Sequence, residues 1–168
     1  MSGTQRTLTM RFLAAPADVN YGGKGHGGAV MKWIDQAGYA AAVGWSGRYC
    51  VTVAVGGIRF VAPIRTSDLV TLHTTLVYTG TTSMHFAVDV HARDPMGDES
   101  RLCTHCIIVF VAVDDAGAPI AVPGWTPLTD EDRRLSDYAT TVLQLSKGIE
   151  QTVARYRDPT APEPAPRT

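Results

Sequence analysis

Residues 7–14, Thr-Leu-Thr-Met-Arg-Phe-Leu-Ala, alternate polar and apolar side chains and predict a first strand that ends at Pro16. The next segment, Asn20-Tyr-Gly-Gly-Lys-Gly-His-Gly-Gly28, holds five glycines in nine residues, so its backbone is free to approach a ligand or another segment closely. Residues 29–43 are apolar almost all round (Val30, Met31, Trp33, Ile34, Ala37, Ala40, Ala41, Val43), which predicts a buried helix. Its polar exceptions, Lys32, Asp35, Gln36 and Tyr39, recur at i, i+3, i+4 and i+7 and form one narrow stripe. A buried helix with a single wet stripe faces a cleft or a subunit interface. Four strand-like runs follow, at residues 49–62, 69–78, 83–93 and 101–113, separated by turn chemistry at 63–68, 80–82, 94–98 and 114–117. Strands in direct succession argue for an antiparallel sheet. Their length, with one greasy helix before them, predicts an α+β fold in which a long curved sheet wraps that helix.

Beyond Pro127, Thr129 and Asp132 form a capping-box-like start, and Leu135, Tyr138, Val142, Leu145, Ile149 and Val153 recur at helical spacing. This second helix is amphipathic and belongs on the surface. The last eleven positions, 158–168, carry four prolines and are expected to be a disordered tail. The expected organisation is thus a domain over 1–125, a helical extension over 126–157 and the tail over 158–168.

Composition narrows the function. In 168 residues, 45% are hydrophobic and 18% charged, and the net charge is −1, so nothing draws the chain generally to nucleic acid or to an anionic membrane. No apolar run approaches the roughly 20 residues that span a bilayer, and the start MSGTQRTLTMRF lacks the apolar core of a signal peptide, so a cytoplasmic location is expected. Three cysteines, an odd number, fit a reducing compartment. Cys103 and Cys106 spell C-x-x-C, but on a strand they are expected to face opposite sides, and no second ligand pair stands at zinc-like spacing. The chain lacks a G-x-S-x-G elbow, a P-loop, a dinucleotide fingerprint and an H-E-x-x-H motif, so neither cofactor nor metal has sequence support.

Asp35 is the sharpest candidate, because a carboxylate on an otherwise buried helix is costly unless it meets water, substrate or a partner subunit, where it could equally form an interface ion pair. Gly27 and Gly28 stand where the helix begins, so their N–H groups and the helix dipole can receive an oxyanion or a thioester oxygen. Asn20 is a turn former whose amide can donate to a carbonyl or accept from water. His26 reads as a loop histidine that orients the glycine turn. Gly80-Thr-Thr-Ser-Met84 offers hydroxyls and turn N–H groups, or is simply a hairpin turn.

Taken together, these segments resemble the hotdog-fold acyl-CoA thioesterases, in the branch of bacterial short-chain and mammalian cytosolic acyl-CoA hydrolases. The resemblance runs from Met10 to about Trp125. It is carried by Asp18-Val-Asn20, Gly23, His26-Gly-Gly28, Met31 and Asp35; by Phe60, Pro63 and Asp68; by Gly80-Thr-Thr-Ser-Met84; and by Phe110 to Pro119 with Val122-Pro123. The resemblance implies hydrolysis of acyl-CoA to free acid and CoA, with Asp35 and Asn20 as the catalytic pair and CoA as part of the substrate rather than a cofactor. It also implies a homodimer as the minimal active unit, the pair being drawn from different subunits, and dimers joined as a trimer of dimers. Thr82 and Ser83 correspond to the turn that meets the CoA part of the substrate, and His26 lies beside the substrate. Two departures stand out: Lys24-Gly25 before His26, and Ser67 where relatives carry glycine before Asp68.

Two rival readings remain at this level. An enoyl-thioester hydratase or dehydratase on the same fold would use His26 with Asp35, although their nine-residue spacing is shorter than the dehydratase pattern. A hotdog domain that binds acyl-CoA as a regulatory ligand without turning it over is the other, and the presence of both Asn20 and Asp35 argues against it.

Overall fold

A computed structural model describes Gly3 and residues 5–158; the expected tail beyond Asp158 lies outside the described residues. The chain forms β1 (Thr7–Leu13), α1 (Gly27–Ser46), β2 (Cys50–Phe60), β3 (Leu69–Thr79), β4 (Ser83–Arg93), β5 (Arg101–Ala112) and α2 (Asp130–Arg157). All strand pairings are antiparallel and the order is β1-β3-β4-β5-β2, so β1 and β2 are the edges.

The inner face of the sheet carries Leu72, Phe86, Val88, Ile108 and Phe110, all packed with Val30, Ile34, Ala37 and Ala41 of α1 in one core. Helix and sheet come close at Gly38, where an added Cβ would stand 2.6 Å from the Phe110 ring. Only a glycine fits there. The solvent side of α1 carries Lys32, Asp35, Gln36 and Tyr39, the polar stripe read from the spacing.

The turn before β3 explains one departure from the family pattern. Ser67 has φ 68°, the left-handed region that glycine occupies without strain. The serine is held there by its neighbour: Asp68 accepts the Arg65 N–H at 2.7 Å and is ion-paired with Arg101. The cysteines differ from expectation. Cys103 and Cys106 both lie fully buried in the main core, because strand alternation breaks at Cys103: Leu102 pairs with His91 and Thr104 with Val90, leaving Cys103 unmatched on β4.

The first half of α2 lies on the outer face. Ala139 and Val142 pack on Val77, Ala87, Ile107 and Val109, and Val142 comes so near Gly56 that a Cβ there would stand 2.7 Å away. Tyr138 meets His105 Nε2 at 3.0 Å, and the other His105 nitrogen meets Asp89. That contact with His105 is the main reason the Asp89 carboxyl lies below its ordinary pKa. Of the expected apolar stripe, Leu145, Ile149 and Val153 stay exposed.

The start of α2 is acid-sensitive. Burial opposes ionisation of Asp132, but the N–H groups of Thr129 and Leu128 and the Arg6 guanidinium outweigh it and hold the carboxyl at about 2 instead of 3.8. A folded value below the unfolded one means this contribution is complete above the unfolded pKa and is lost as pH falls from about 4 to about 2. Thermal melting followed by circular dichroism should therefore show wild type falling toward Asp132→Asn across that window, with the gap between them widest above it.

Candidate functional site

The glycine loop is shaped by Asn20. Its backbone N–H donates to the Lys24 carbonyl at 2.7 Å, while its side-chain Oδ1 accepts from the N–H groups of Gly22 and Lys24 at 2.9 and 3.3 Å. Both lone pairs of that oxygen are thus used. The amide NH2 makes no hydrogen bond among the described residues, so Asn20 can act in a site as a donor. Gly25 N–H donates to the Ile64 carbonyl at 2.7 Å, which ties the loop to the segment after β2.

His26 is the N-cap of α1 and offers no side-chain cap, so the N–H groups of Gly27 and Gly28 have no partner among the described residues at the positive end of a 20-residue helix. Here the helix starts two residues before the expected Ala29. Beside this terminus is a cleft of about 370 Å³. It is lined by Asn20, Lys24, Gly25 and Gly27 of the loop and helix start, by Val30, by the apolar segment from Phe60 to Ile64 and by Thr104 of β5.

Asp35 lies elsewhere in the same chain. It is exposed, on the third turn of α1, and eight residues of helix rise place it about 12 Å along the axis from Gly27. The Thr52 hydroxyl on edge strand β2 donates to its Oδ1. That bond fixes the carboxylate rotamer and leaves Oδ2 open to solvent. Thr52 sits next to a register shift between Thr52 and Ala54, which bends the edge beside the carboxylate. Tyr39 and Tyr49 stack edge to face at 6.3 Å, and Val53 is 54% exposed, so the carboxylate is set in an apolar surface along the outer edge of β2.

Within one chain the structure therefore brings Asn20 and Gly27 together with a cleft, and Asp35 together with Thr52, but does not join the two groups. His26 is exposed and more than two turns from Asp35 on the same helix, so the two do not meet within a chain. Thr82 and Ser83 lie in the β3–β4 turn, held where the Thr82 carbonyl accepts the Ala112 N–H at 3.2 Å. Ser83 and Val51 both pair with Val111, so this turn stands at the same sheet end as Thr52, two strand spacings or about 10 Å away. Ser83 Oγ points to the outer face with His85, however, 3.4 Å from its Nε2.

The thiols are placed for packing. Burial pushes Cys106 up to about 12 and Cys103 above its ordinary value, so neither is a thiolate at neutral pH. Among the described residues no group of three or more His, Cys, Asp or Glu is arranged to hold a metal ion, and no helix is long and apolar enough to cross a membrane.

Sequence reasoning missed Thr52. A threonine in a strand carries no local signal, and its partner is seventeen positions away on a helix.

The profile of the Thioesterase superfamily matches residues 22–98. The acyl-CoA thioester hydrolase YciA of Escherichia coli is 35% identical over 123 residues, covering 71% of this chain and 92% of that protein. The acyl-CoA hydrolase of Staphylococcus aureus, solved with butyryl coenzyme A and coenzyme A, superposes with a TM-score of 0.83 at 26% identity, covering 94% of this chain and 96% of that one. Its solved forms include alanine mutants of an asparagine, of an aspartate fifteen positions later and of a threonine seventeen beyond that. Asn20, Asp35 and Thr52 repeat both intervals. The hexameric thioesterase y2039 of Yersinia pestis is 33% identical with a TM-score of 0.66, covering 69% of this chain and 94% of that one. The chain belongs to the thioesterase superfamily.

Proposed function

We propose that this protein is an enzyme that hydrolyses acyl-CoA to a free acid and CoA, in sites shared between two copies of the chain. One observation carries the reading: the carboxylate of Asp35, anchored to the open edge strand β2 by Thr52, stands about 12 Å along α1 from the Gly27 N–H in the same chain, too far to act with it there. Pairing the β2 edges of two copies brings the Asp35 of each toward the glycine loop of the other. Each dimer then has two equivalent sites.

In such a site the Gly27 and Gly28 N–H groups of one subunit receive the thioester oxygen as it becomes an oxyanion. The Asn20 amide donates to the attacking water or to the carbonyl. Asp35 of the other subunit either takes the proton from water or attacks the carbonyl itself, forming an anhydride that water then opens. In both routes a C–O bond forms, the C–S bond breaks, and CoA leaves as a thiol. Thr82 and Ser83 meet the CoA part of the substrate near the same sheet end, and His26 lies at the substrate's edge. No separate cofactor is needed. The three unpaired buried cysteines support a reducing, cytoplasmic setting, and the hexameric relatives support a trimer of dimers.

Thiol release measured over saturated acyl-CoAs of increasing length, together with crotonyl-CoA, tests this reading. Hydrolysis frees CoA thiol from at least one saturated substrate. Hydration of crotonyl-CoA with no free thiol from any substrate would replace the thioesterase by a hydratase, and saturable binding with no turnover by a binding module.

A further inference from the structure

Two cations stand opposite each other beside the cleft. Gly25 N–H donates to the Ile64 carbonyl, and in the antiparallel bridge this makes Lys24 and Arg65 are directly opposed. Residues opposed in this way project from one face with their Cβ atoms about 4.5–5.5 Å apart, and like charges so placed are destabilising. Both residues are exposed, and neither side chain makes a hydrogen bond or ion pair among the described residues. The acids nearest to them in sequence are engaged elsewhere: Asp18 accepts the Ala15 N–H, and Asp68 is ion-paired with Arg101. The opposed pair therefore weakens the empty protein and is relieved by an anion.

Position narrows what that anion is. Lys24 lines the cleft, and Arg65 directly follows Ile64, another lining residue. Lys24 is three residues before Gly27, at most about 11 Å away along the chain. Its charge thus lies near the N–H that receives the thioester oxygen. The phosphates of CoA are separated from the sulfur by the whole pantetheine arm, whereas a carboxylate ending a short acyl chain is a few bonds from the thioester carbon. Val30 and the segment from Phe60 to Ile64, also in the lining, are apolar and suit the methylene groups between.

We infer that Lys24 and Arg65 form an anion subsite that selects acyl chains ending in a carboxylate, so that the hydrolase described above favours CoA monothioesters of short dicarboxylic acids. The inference rests on the thioesterase reading and adds a substrate class to it. Lys24 belongs to one of the two departures from the family pattern, so the preference is this chain's own.

The test measures thiol release from hexanoyl-CoA, adipoyl-CoA and the methyl ester of adipoyl-CoA in wild type, Lys24→Gln, Arg65→Gln and Lys24→Gln/Arg65→Gln. Wild type should favour adipoyl-CoA over its neutral ester by about 10-fold or more in kcat/KM, the range of a hydrogen bond to a charged group. Because both cations are exposed, the preference should shrink as salt is raised. Each single variant should lose part of it and the double variant all of it, while Lys24→Arg should keep it. Should the double variant fold poorly by melting temperature, the single variants supply the readout. Absence of the preference in wild type, its survival in the double variant, or an equal fall for all three substrates overturns the inference. The same chains carried on N-acetylcysteamine, which has no phosphate, identify the anion, and the adipoyl preference should persist there. Variants that slow every CoA thioester and no N-acetylcysteamine thioester would assign the pair to the CoA phosphates and overturn the inference. Calorimetric binding of the stable thioethers S-hexyl-CoA and S-(5-carboxypentyl)-CoA separates the two claims. Discrimination there that depends on Lys24 and Arg65, with no thiol released from any thioester, would leave the subsite standing and remove the catalytic reading.

Discussion

Asp35→Asn should lower kcat for thiol release by about 10²–10⁴-fold, the range a positioned acid–base group contributes. The substitution keeps the size of the side chain and a carbonyl oxygen that can still accept from Thr52, so the helix–strand contact survives. Asp35 is exposed, and changes at such positions usually alter stability by no more than about 0.5 kcal/mol. The melting temperature should therefore hardly move, and KM for a short acyl-CoA should change far less than kcat. That split separates a reacting carboxylate from an interface ion pair. If Asp35 only tied two subunits together, the asparagine variant would dissociate or melt early while turnover per intact dimer stayed near normal.

The two halves of the site were legible to different degrees, for physical reasons. Asp35 stood out because a charge on a helix apolar on nearly every side has few tolerable explanations. The stripe with Lys32, Gln36 and Tyr39 is indeed its solvent side. Strand β4 matches the expected bounds, since period-two alternation runs between a Gly-Thr-Thr turn and Asp94-Pro. Helix α1 begins earlier than its apolar pattern because glycines at its first positions add no side chain to that pattern but still take helical angles. The pattern also stops at Val43 while the helix runs to Ser46.

What was hidden depends on tertiary contact. Thr52 acquires meaning only when β2 is laid beside α1, and the unmatched Cys103 only when β4 and β5 are in register. From sequence the Asn20 amide can donate or accept; the folded loop takes both lone pairs of its oxygen and leaves the donor. The apolar face of α2 is visible at its helical spacing, but which of its residues the chain itself covers, Val142 and not Leu145, Ile149 or Val153, depends on how the helix packs on the sheet.

Mixing two inactive variants should restore activity, and this result bears most directly on the shared site. Asn20→Ala removes the donor and Asp35→Asn the carboxylate, so a homodimer of either has two defective sites. In a mixed dimer, one site receives both defects and the other receives an intact Asn20 from one subunit and an intact Asp35 from its partner. Unfolding and refolding the variants together in equal amounts gives half mixed dimers, each with one sound site of two, so thiol release should reach about a quarter of wild type. Against a loss of about 10²-fold or more in the asparagine variant alone, that recovery is unmistakable. The control mixes wild type with the double variant Asn20→Ala/Asp35→Asn, in which every site of a mixed dimer lacks one group, and activity should fall to about a quarter rather than the half that independent sites would keep. Sites built within single chains predict no recovery in the first mixture, because each subunit carries its own defect wherever it goes.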